Sequence, residues 1–181
     1  MAIPTFTSFG KIPRLSNLTM TVTEKIDGTN AAVLITEDGG IYAQSRKRFI
    51  TPEDDNYGFA AWVAEHERDL LDLGPGTHFG EWWGQGIQRN YGLDERRFSL
   101  FNTSRWGDPE VRPAFCDVVP VLAHCPFHQP TVEYINDTID AHGSQAAPGF
   151  KNPEGVMVFI HELGQYVKAP LEQAHKGQAA A

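Results

Sequence analysis

One seven-residue stretch places the strongest constraint on how this chain can fold: Glu-Lys-Ile-Asp-Gly-Thr-Asn, residues 24–30. In an extended segment, residues two apart point to the same side, so we expect Lys25 and Asp27 to face one pocket. Gly28 follows them and allows the backbone to turn or to approach a ligand closely. A lysine held in such a pocket can act as a covalent nucleophile. On this fragment alone, however, a solvent-exposed turn is the more common outcome.

Apolar and β-branched runs on either side of this stretch predict a sheet. We expect Lys25 at the end of one strand and Arg46 on a later strand of the same sheet. The predicted strands around them cover residues 20–23, 31–36 and 41–44, with a hairpin turn at 37–40.

Two helices and five more strands are predicted farther along the chain. Helical spacing of apolar residues predicts helices over 59–71 and 131–142, and a glycine follows each of them. The polar, turn-rich segment between Asn102 and Phe115 is predicted to be a loop. The further strands are predicted over 77–83, 98–102, 117–122, 155–160 and 166–169.

Length and composition favour a single globular domain. A chain of 181 residues can bury a substantial core, and its 41% hydrophobic residues, 17 Gly and 12 Pro are typical of a loop-rich globular protein. We therefore expect one domain over residues 1–181, ending in a polar tail at 172–181. No apolar run reaches the roughly 18 residues of a membrane span, and the N-terminus lacks a basic region followed by an apolar one, which indicates a cytoplasmic protein.

Charge limits how the chain can contact nucleic acid. Its 15 Lys and Arg stand against 23 Asp and Glu, and the formal net charge of −8 argues against broad, nonspecific coating of nucleic acid. Local basic clusters occur at residues 46–48 and in a second group formed by Arg89, Arg96, Arg97 and Arg105. For the second group, a solvated face and a polynucleotide groove are equally compatible with the sequence.

The two cysteines, Cys116 and Cys125, predict buried thiols in a reducing compartment rather than a disulfide framework. His124 and His128 lie close to them in sequence. The spacing of these four residues does not match the paired ligands of a structural zinc site, so we expect no zinc here.

Three positions after the hairpin carry candidate binding groups. Glu81 lies among aromatic residues, where a buried carboxylate needs hydrogen-bond donors, and a ribose with two hydroxyls would supply them. Phe101 can offer an aromatic face to a base. Glu154 stands at the entrance of an apolar strand, where a carboxylate can hold a divalent cation against nucleotide phosphates. With Lys25 and Lys168, these groups predict phosphoryl-type transfer from a nucleoside triphosphate to a lysine.

Six segments occur in a particular order along the chain: Glu-Lys-Ile-Asp-Gly-Thr-Asn (24–30), Ser-Arg-Lys-Arg (45–48), Phe-Gly-Glu-Trp-Trp-Gly (79–84), Phe-Ser-Leu-Phe (98–101), Pro-Glu-Gly-Val-Met-Val (153–158) and Tyr-Val-Lys (166–168). As an ordered set they resemble the covalent nucleotidyltransferases, which include ATP-dependent ligases and mRNA capping enzymes. The likeness is greatest to phage-type RNA ligases that seal nicks in duplex RNA, whose nucleophile motif also reads Glu-Lys-x-x-Gly-Thr-Asn. It extends from Glu24 to Lys168.

The resemblance implies an α+β fold, a nucleotidyltransferase core of the ATP-grasp-like ligase type in which antiparallel sheets are flanked by helices. It implies ATP and magnesium or manganese as cofactors, with Glu154 as the metal ligand. Lys25 would form a lysyl-adenylate through a phosphoramide bond. Lys168 would contact the α-phosphate. Apart from the resemblance, the charge of Asp27 suits it to act as a metal partner or to orient a lysine amine.

The resemblance also implies a set of residues that bind the nucleotide or the RNA end. They are Glu24 at adenine, Phe101 stacked on adenine, Glu81 at the ribose hydroxyls, Arg46 at the phosphate or ribose side, Gly28 in the nucleophile turn, and Asn30, which is implicated in sealing. Three steps are then expected: adenylylation of the enzyme, transfer of AMP to a 5′-phosphate end, and attack by a 3′-hydroxyl that releases AMP.

The sequence departs from the family pattern at two points. The last motif of these enzymes commonly carries two lysines two residues apart, whereas Lys168 is flanked at that spacing by Tyr166 and Pro170. One phosphate contact is therefore expected to be missing or supplied elsewhere. Because thirteen residues follow Lys168, we also expect no C-terminal nucleic-acid-binding domain. Duplex sealing would then either need a protein partner in place of that domain or not occur.

The expected partners are RNA ends or a nicked duplex with a 5′-phosphate and a 3′-hydroxyl, and no membrane. A DNA ligase core or a capping-type guanylyltransferase would share the architecture, but Thr29 and Asn30 after Gly28 favour the RNA ligase branch. A different class of function is a nucleotide- or RNA-binding module without turnover. Such a module predicts ATP binding without a covalent product.

Overall fold

Two β-sheets form the frame of residues 5–171, the part of the chain that the computed structural model describes. The strands are β1 (Thr19–Glu24), β2 (Thr29–Ile35), β3 (Ile41–Ser45), β4 (Phe49–Ile50), β5 (Gly76–Gly84), β6 (Arg96–Leu100), β7 (Cys116–Val118), β8 (Val121–Pro126), β9 (Gly155–Ile160) and β10 (Gln165–Pro170). The helices are α1 (Phe59–Glu65), α2 (Glu67–Leu70), α3 (Thr103–Trp106) and α4 (Gln129–His142), with 3-10 turns at Leu15–Asn17, Leu71–Leu73 and Pro109–Val111.

The strands divide into a four-stranded sheet, in the order β10-β9-β1-β8, and a six-stranded sheet, in the order β4-β3-β2-β5-β6-β7. Neighbouring strands run antiparallel except β6 and β7, which are parallel. This arrangement confirms the predicted α+β class and adds one parallel pair to the antiparallel sheets that we expected. The predicted polar tail, residues 172–181, lies outside the described residues.

The four-stranded sheet packs one face against α4. Met20 and Val22 of β1 are fully buried with Val158 of β9, and Ile135 and Ile139 of α4 cover them. Residues at the alternate positions of the same strands point to the opposite face, as the period of two requires. Met157 and Lys168 are register partners on that opposite face, and both line the cavity described below.

The six-stranded sheet has its own core, which packs against α1. Phe59 of α1 lies with its ring centroid 5.4 Å from Trp82 of β5 and 5.1 Å from Phe98 of β6. Trp83, the neighbour of Trp82, points the other way into a smaller cluster with Ile26. No helix within residues 5–171 is long and apolar enough to cross a lipid bilayer.

The chain crosses from one sheet to the other between β1 and β2. Lys25 therefore extends the four-stranded sheet, whereas Arg46 follows β3 in the six-stranded sheet, and the prediction that one sheet carries both was wrong. The crossing is tight because Gly28 lies directly on β5, where a Cβ atom would collide with the Trp82 carbonyl oxygen and the Trp83 Cβ. A glycine is thus needed at position 28 so that the crossing segment can lie against the backbone of β5.

Three other predicted elements differ from the structure. The predicted helix over 59–71 is interrupted at His66, whose backbone and ring nitrogens both bond the Trp62 carbonyl oxygen. The predicted loop after Asn102 contains α3, because the Asn102 side chain caps that helix by accepting from the Arg105 N–H.

The predicted strand over 117–122 is two strands in different sheets. Pro120 lies between β7 and β8. Its carbonyl oxygen accepts a hydrogen bond from the N–H of Glu24, the last residue of β1, and so bonds to the four-stranded sheet. Cys116 and Cys125 consequently belong to different sheets, and both are free thiols.

Candidate functional site

A cavity of about 550 Å³ lies between the two sheets, where the chain crosses from one to the other. Nine of the ten predicted site residues line it: Glu24, Lys25, Asp27, Gly28, Asn30, Arg46, Glu81, Phe101 and Lys168. The tenth, Glu154, contacts the Lys25 side chain. Residues separated by more than a hundred positions in sequence thus meet at one cavity.

Lys25 and Glu154 form the central ion pair of the cavity. The Lys25 Nζ lies 2.5 Å from a Glu154 carboxylate oxygen, and the two side chains are 23% and 21% exposed. Their backbones are joined as well, since the Lys25 N–H donates to the Gly155 carbonyl oxygen at 2.9 Å. The end of β1 and the start of β9 therefore place the amine and the carboxylate together, at the edge of the cavity that Lys25 lines.

Glu81 lies on the opposite wall, in the middle of β5, and its side chain is almost fully buried at 8% exposure. One carboxylate oxygen accepts from the Gly28 N–H at 3.0 Å and the other accepts from the Asn30 amide at 3.2 Å. Burial raises the pKa of Glu81 to about 7, although the Gly28 hydrogen bond and the Lys25 charge act in the opposite direction. The carboxylate is therefore partly protonated near neutral pH.

Asp27 is held from two sides by the connection between β5 and β6. Its carboxylate oxygen accepts from the Arg89 Nε at 2.8 Å, and its backbone N–H donates to the Tyr91 hydroxyl at 2.7 Å. Burial raises the pKa of Tyr91, so that its hydroxyl stays un-ionised. Asp27 lines the cavity, but its charge is already paired by an arginine.

Glu24 lines the cavity, but its carboxylate is bonded to the connection between α4 and β9. The carboxylate is 1% exposed and accepts three hydrogen bonds, from the Ser144 hydroxyl at 2.5 Å and from the N–H groups of Gln145 and Ala146 at 2.7 and 2.9 Å. Glu24 thereby fixes the start of the connection between α4 and β9. A direct contact from this carboxylate to adenine would require these bonds to be exchanged.

The remaining cavity wall contains residues that the sequence did not single out. Met157 and Tyr166 line the cavity beside Lys168, and Val119 lies near Phe101. Tyr166 and Lys168 are two apart in β10, so the period of two could have identified Tyr166. Val119 follows a three-residue strand and has no such signal.

The second predicted arginine group does not form a groove. Arg96 donates to the Tyr57 carbonyl oxygen, Arg97 pairs with Glu95, and Arg105 donates to the Leu73 carbonyl oxygen. Arg89 is the member of the group that reaches the cavity residues, where it contacts Asp27. Sequence proximity grouped four side chains that the fold directs to different places.

Three comparisons place this geometry among known proteins. A family model described as RNA ligase matches residues 18–163. A solved structure of a Naegleria gruberi RNA ligase mutant with AMP and manganese aligns with a TM-score of 0.65 at 19% identity, over 93% of this chain and 57% of that one. Another mutant of that ligase, solved with ATP and manganese, aligns with a TM-score of 0.66 at 20% identity, over 97% of this chain and 60% of that one. No curated protein sequence matched the chain.

At this level of identity the structural matches concern the fold, and the chain spans less than two thirds of the length of these ligase structures. The family match covers most of the chain, including the nucleophile stretch, Glu81, Phe101 and Glu154. Lys168 lies beyond the matched residues but lines the same cavity.

Proposed function

Because the chain belongs to the RNA ligase family, we propose that it is an ATP-dependent RNA ligase that joins 5′-phosphate and 3′-hydroxyl ends through a covalent lysyl-AMP intermediate. The observation that carries this proposal is the Lys25 amine, paired with Glu154 at 2.5 Å inside a cavity of nucleotide size. A surface lysine in a turn would have neither feature.

The first step is attack of the Lys25 Nζ on the α-phosphorus of ATP. A nitrogen–phosphorus bond forms, the bond from the α-phosphorus to pyrophosphate breaks, and the amine gives up a proton. The Glu154 carboxylate is the proton acceptor in contact with that amine. Lys168, which lines the same cavity from β10, is proposed to hold the α-phosphate while charge builds up on it.

The residues present fit a divalent cation that is shared with the nucleotide. Within residues 5–171 no group of three or more His, Cys, Asp and Glu side chains is arranged to hold a metal ion. Magnesium commonly takes one or two carboxylates and completes its shell with phosphates and water. Glu154 would supply the carboxylate, and the bound cation would neutralise charge on the phosphates.

The opposite wall is proposed to bind the nucleoside. Glu81, when ionised, can accept hydrogen bonds from both ribose hydroxyls, since it lines the cavity and each of its oxygens accepts only one protein hydrogen bond, from Gly28 or Asn30. Phe101 would stack on adenine, and Arg46 would contact the ribose or phosphate side. The Naegleria ligase structures with AMP and ATP support this choice of ligand because they share the fold.

The covalent step can be tested with ATP labelled at the α-phosphate. Purified protein is incubated with the labelled ATP and magnesium or manganese, and products are resolved on a denaturing gel. We expect a labelled protein band that disappears in Lys25→Ala, persists in the exposed control Lys11→Ala, and is released by acid, as a phosphoramide is. A protein that binds ATP but gains no label from ATP or GTP would contradict the ligase proposal.

The same experiment separates the alternatives. Label from GTP alone would favour a capping-type guanylyltransferase. Binding without label would favour a nucleotide-binding module, for which the specific motivation is the single lysine of β10, flanked by Tyr166 and Pro170. Once labelling is established, 5′-phosphorylated nicked duplexes of RNA, DNA and mixed composition would identify the acceptor, and Asn30→Ala would test the proposed role of Asn30 in sealing.

A further inference from the structure

Arg89 and Tyr91 lie in the connection between β5 and β6, residues 85–95. Each of them contacts both Asp27 and the segment 150–153. Arg89 bonds the Asp27 carboxylate, and it also donates to the Asn152 side-chain and backbone oxygens at 2.9 and 3.0 Å and to the Pro153 carbonyl oxygen at 3.3 Å. Tyr91 accepts from the Asp27 N–H and packs its ring 4.6 Å from that of Phe150. Both therefore link the nucleophile turn to residues 150–153.

The backbone that presents these two side chains is unusual. Gln88, Asn90 and Tyr91 have φ values of 44°, 60° and 52°, in the left-handed region that non-glycine residues rarely occupy. Such conformations cost free energy and persist where the surrounding contacts enforce them. Here they turn Arg89 and Tyr91 inward, and the Arg89 side chain is left only 14% exposed.

The link reaches the reacting groups through short segments of chain. Asp27 is two residues from Lys25, and Pro153 immediately precedes Glu154. Since Arg89 contacts both Asp27 and Pro153, it sets the separation of the two segments that carry the amine and its carboxylate partner. Displacement by about 1 Å at such a site can lower a rate by about a hundredfold.

Arg89 also balances charge. Asp27, Glu81 and Glu154 lie close enough to influence one another, and the charges of Glu154 and Asp27 both favour the protonated form of Glu81. A triphosphate that enters this cavity brings further negative charge. Arg89 pairs the Asp27 carboxylate at 2.8 Å and thereby offsets part of this repulsion without occupying the cavity.

We propose that Arg89 is a positioning residue for adenylylation of Lys25: it pairs Asp27 and ties down residues 152–153, so that Lys25 and Glu154 are held in register for attack on the α-phosphate. Tyr91 assists by fixing the Asp27 backbone. The inference rests on the proposed function, because it assigns Arg89 a role in that reaction. Arg89 contacts no reacting atom and acts through its neighbours.

The test compares single-turnover adenylylation rates across ATP concentrations for Arg89→Met, Arg89→Lys and the matched control Arg97→Met. Arg97 lies on the neighbouring strand and pairs with Glu95 away from the cavity. For Arg89→Met we expect the maximal rate to fall about 10- to 100-fold, with the ATP concentration at half-maximal rate changed less than about threefold because Arg89 does not line the cavity. Arg89→Lys should recover part of the rate, and Arg97→Met should match wild type.

A double-mutant cycle tests whether Arg89 acts through Asp27. If it does, Arg89→Met should lower the rate less in an Asp27→Asn background than in wild type, because the charge to be paired is already absent. Equal losses in both backgrounds, or an Arg89→Met protein that reacts at the wild-type rate, would overturn the proposal.

Amide hydrogen exchange tests whether Arg89 tethers its neighbours without requiring the proposed reaction to occur. In the nucleotide-free protein, Arg89→Met should raise exchange in residues 143–154, and Arg97→Met should not. If wild type never becomes labelled, the proposed function fails and the positioning role fails with it, whereas the exchange result still shows whether Arg89 tethers this segment. If wild type reacts and exchange is unchanged in Arg89→Met, the positioning role alone is overturned.

Discussion

The two walls of the cavity differ in the chemistry that they offer. The four-stranded sheet contributes Lys25 and Lys168, with Glu154 bonded to the first of these. The six-stranded sheet contributes Glu81 and, within residues 5–171, carries no lysine on the cavity wall. One wall is thus suited to phosphate transfer and the other to binding hydroxyls and a base. The crossing between the sheets places Lys25 where the two walls meet.

Two buried glutamates make the contrast sharper. Glu24 accepts three hydrogen bonds from residues 144–146 and is 1% exposed, so its bonding capacity is used to anchor a loop. Glu81 accepts two, remains on the cavity wall, and has a pKa raised to about 7. The three protein donors of Glu24 leave its carboxylate less capacity for a ligand than the two donors of Glu81 leave to that carboxylate.

The largest effect is expected from removing the Glu24 carboxylate, which tests whether Glu24 stabilises the fold. Glu24→Ala would leave one buried donor, the Ser144 hydroxyl, and two partly buried N–H groups without their acceptor, and should lower the free energy of unfolding by about 3 to 5 kcal/mol. Denaturant titration measures this directly. Glu162→Ala is the control, since its exposed carboxylate bonds Thr19 at the other end of β1 and should matter much less. A stable Glu24→Ala protein with weakened ATP binding would instead indicate a direct adenine contact.

Lys168→Ala should have the next largest effect and should act on rate rather than on folding. Loss of a cation at the α-phosphate is expected to slow adenylylation about a hundredfold or more, while the unfolding free energy stays near that of wild type. The control is Lys151→Ala, whose amine bonds the His142 carbonyl oxygen outside the cavity. An unchanged rate in Lys168→Ala would move the α-phosphate contact to Arg46 on the other wall.

Phe101→Ala tests the nucleoside wall. Removing a stacking partner should weaken ATP binding by about 1 to 3 kcal/mol, as measured by equilibrium titration. Tripolyphosphate has no base, so its competition with ATP should report an affinity that the substitution leaves unchanged. Equal weakening of both ligands would mean that Phe101 supports the shape of the cavity and does not contact the base.

Much of the fold followed from local sequence patterns, because strand and helix periods are local properties. The bounds of β9 were predicted correctly, and most other strands matched within two residues at each end. The division into two sheets could not be predicted in this way. It depends on the close contact of Gly28 with β5 and on Pro120, and both are interactions between distant segments.

The site residues also divide into those that local motifs identified and those whose placement depends on contacts between distant segments. The residues inside ordered motifs met at the cavity, because their motifs end strands that converge there. Arg89 was grouped with Arg96 and Arg97, since nothing in the sequence shows that three non-glycine residues around it take left-handed conformations. The anchoring of Glu24 was equally hidden, because its donors lie 120 to 122 positions away.

The smallest predicted effect concerns the ionisation of Glu81. If the ionised carboxylate accepts the ribose hydroxyls, ATP affinity should rise about tenfold from pH 6 to pH 8, as a group with a pKa of about 7 loses its proton. Titrations at several pH values would measure this rise. Glu81→Gln should remove the part of the pH dependence that belongs to Glu81 and leave the part due to the triphosphate itself.

The stability of the nucleotide-free protein should change with pH in the opposite direction. The folded pKa of Glu81 is raised above its ordinary value of 4.5, so the folded state binds the proton more tightly than the unfolded state does. Its contribution to stability should therefore decline as pH rises from about 4.5 to 7 and level off above that. Thermal unfolding of wild type against Glu81→Gln would reveal the decline as a pH-dependent difference. A pH-independent difference, together with a flat ATP affinity, would mean that Glu81 is as fully satisfied as Glu24 and that both walls of the cavity contain a structural glutamate.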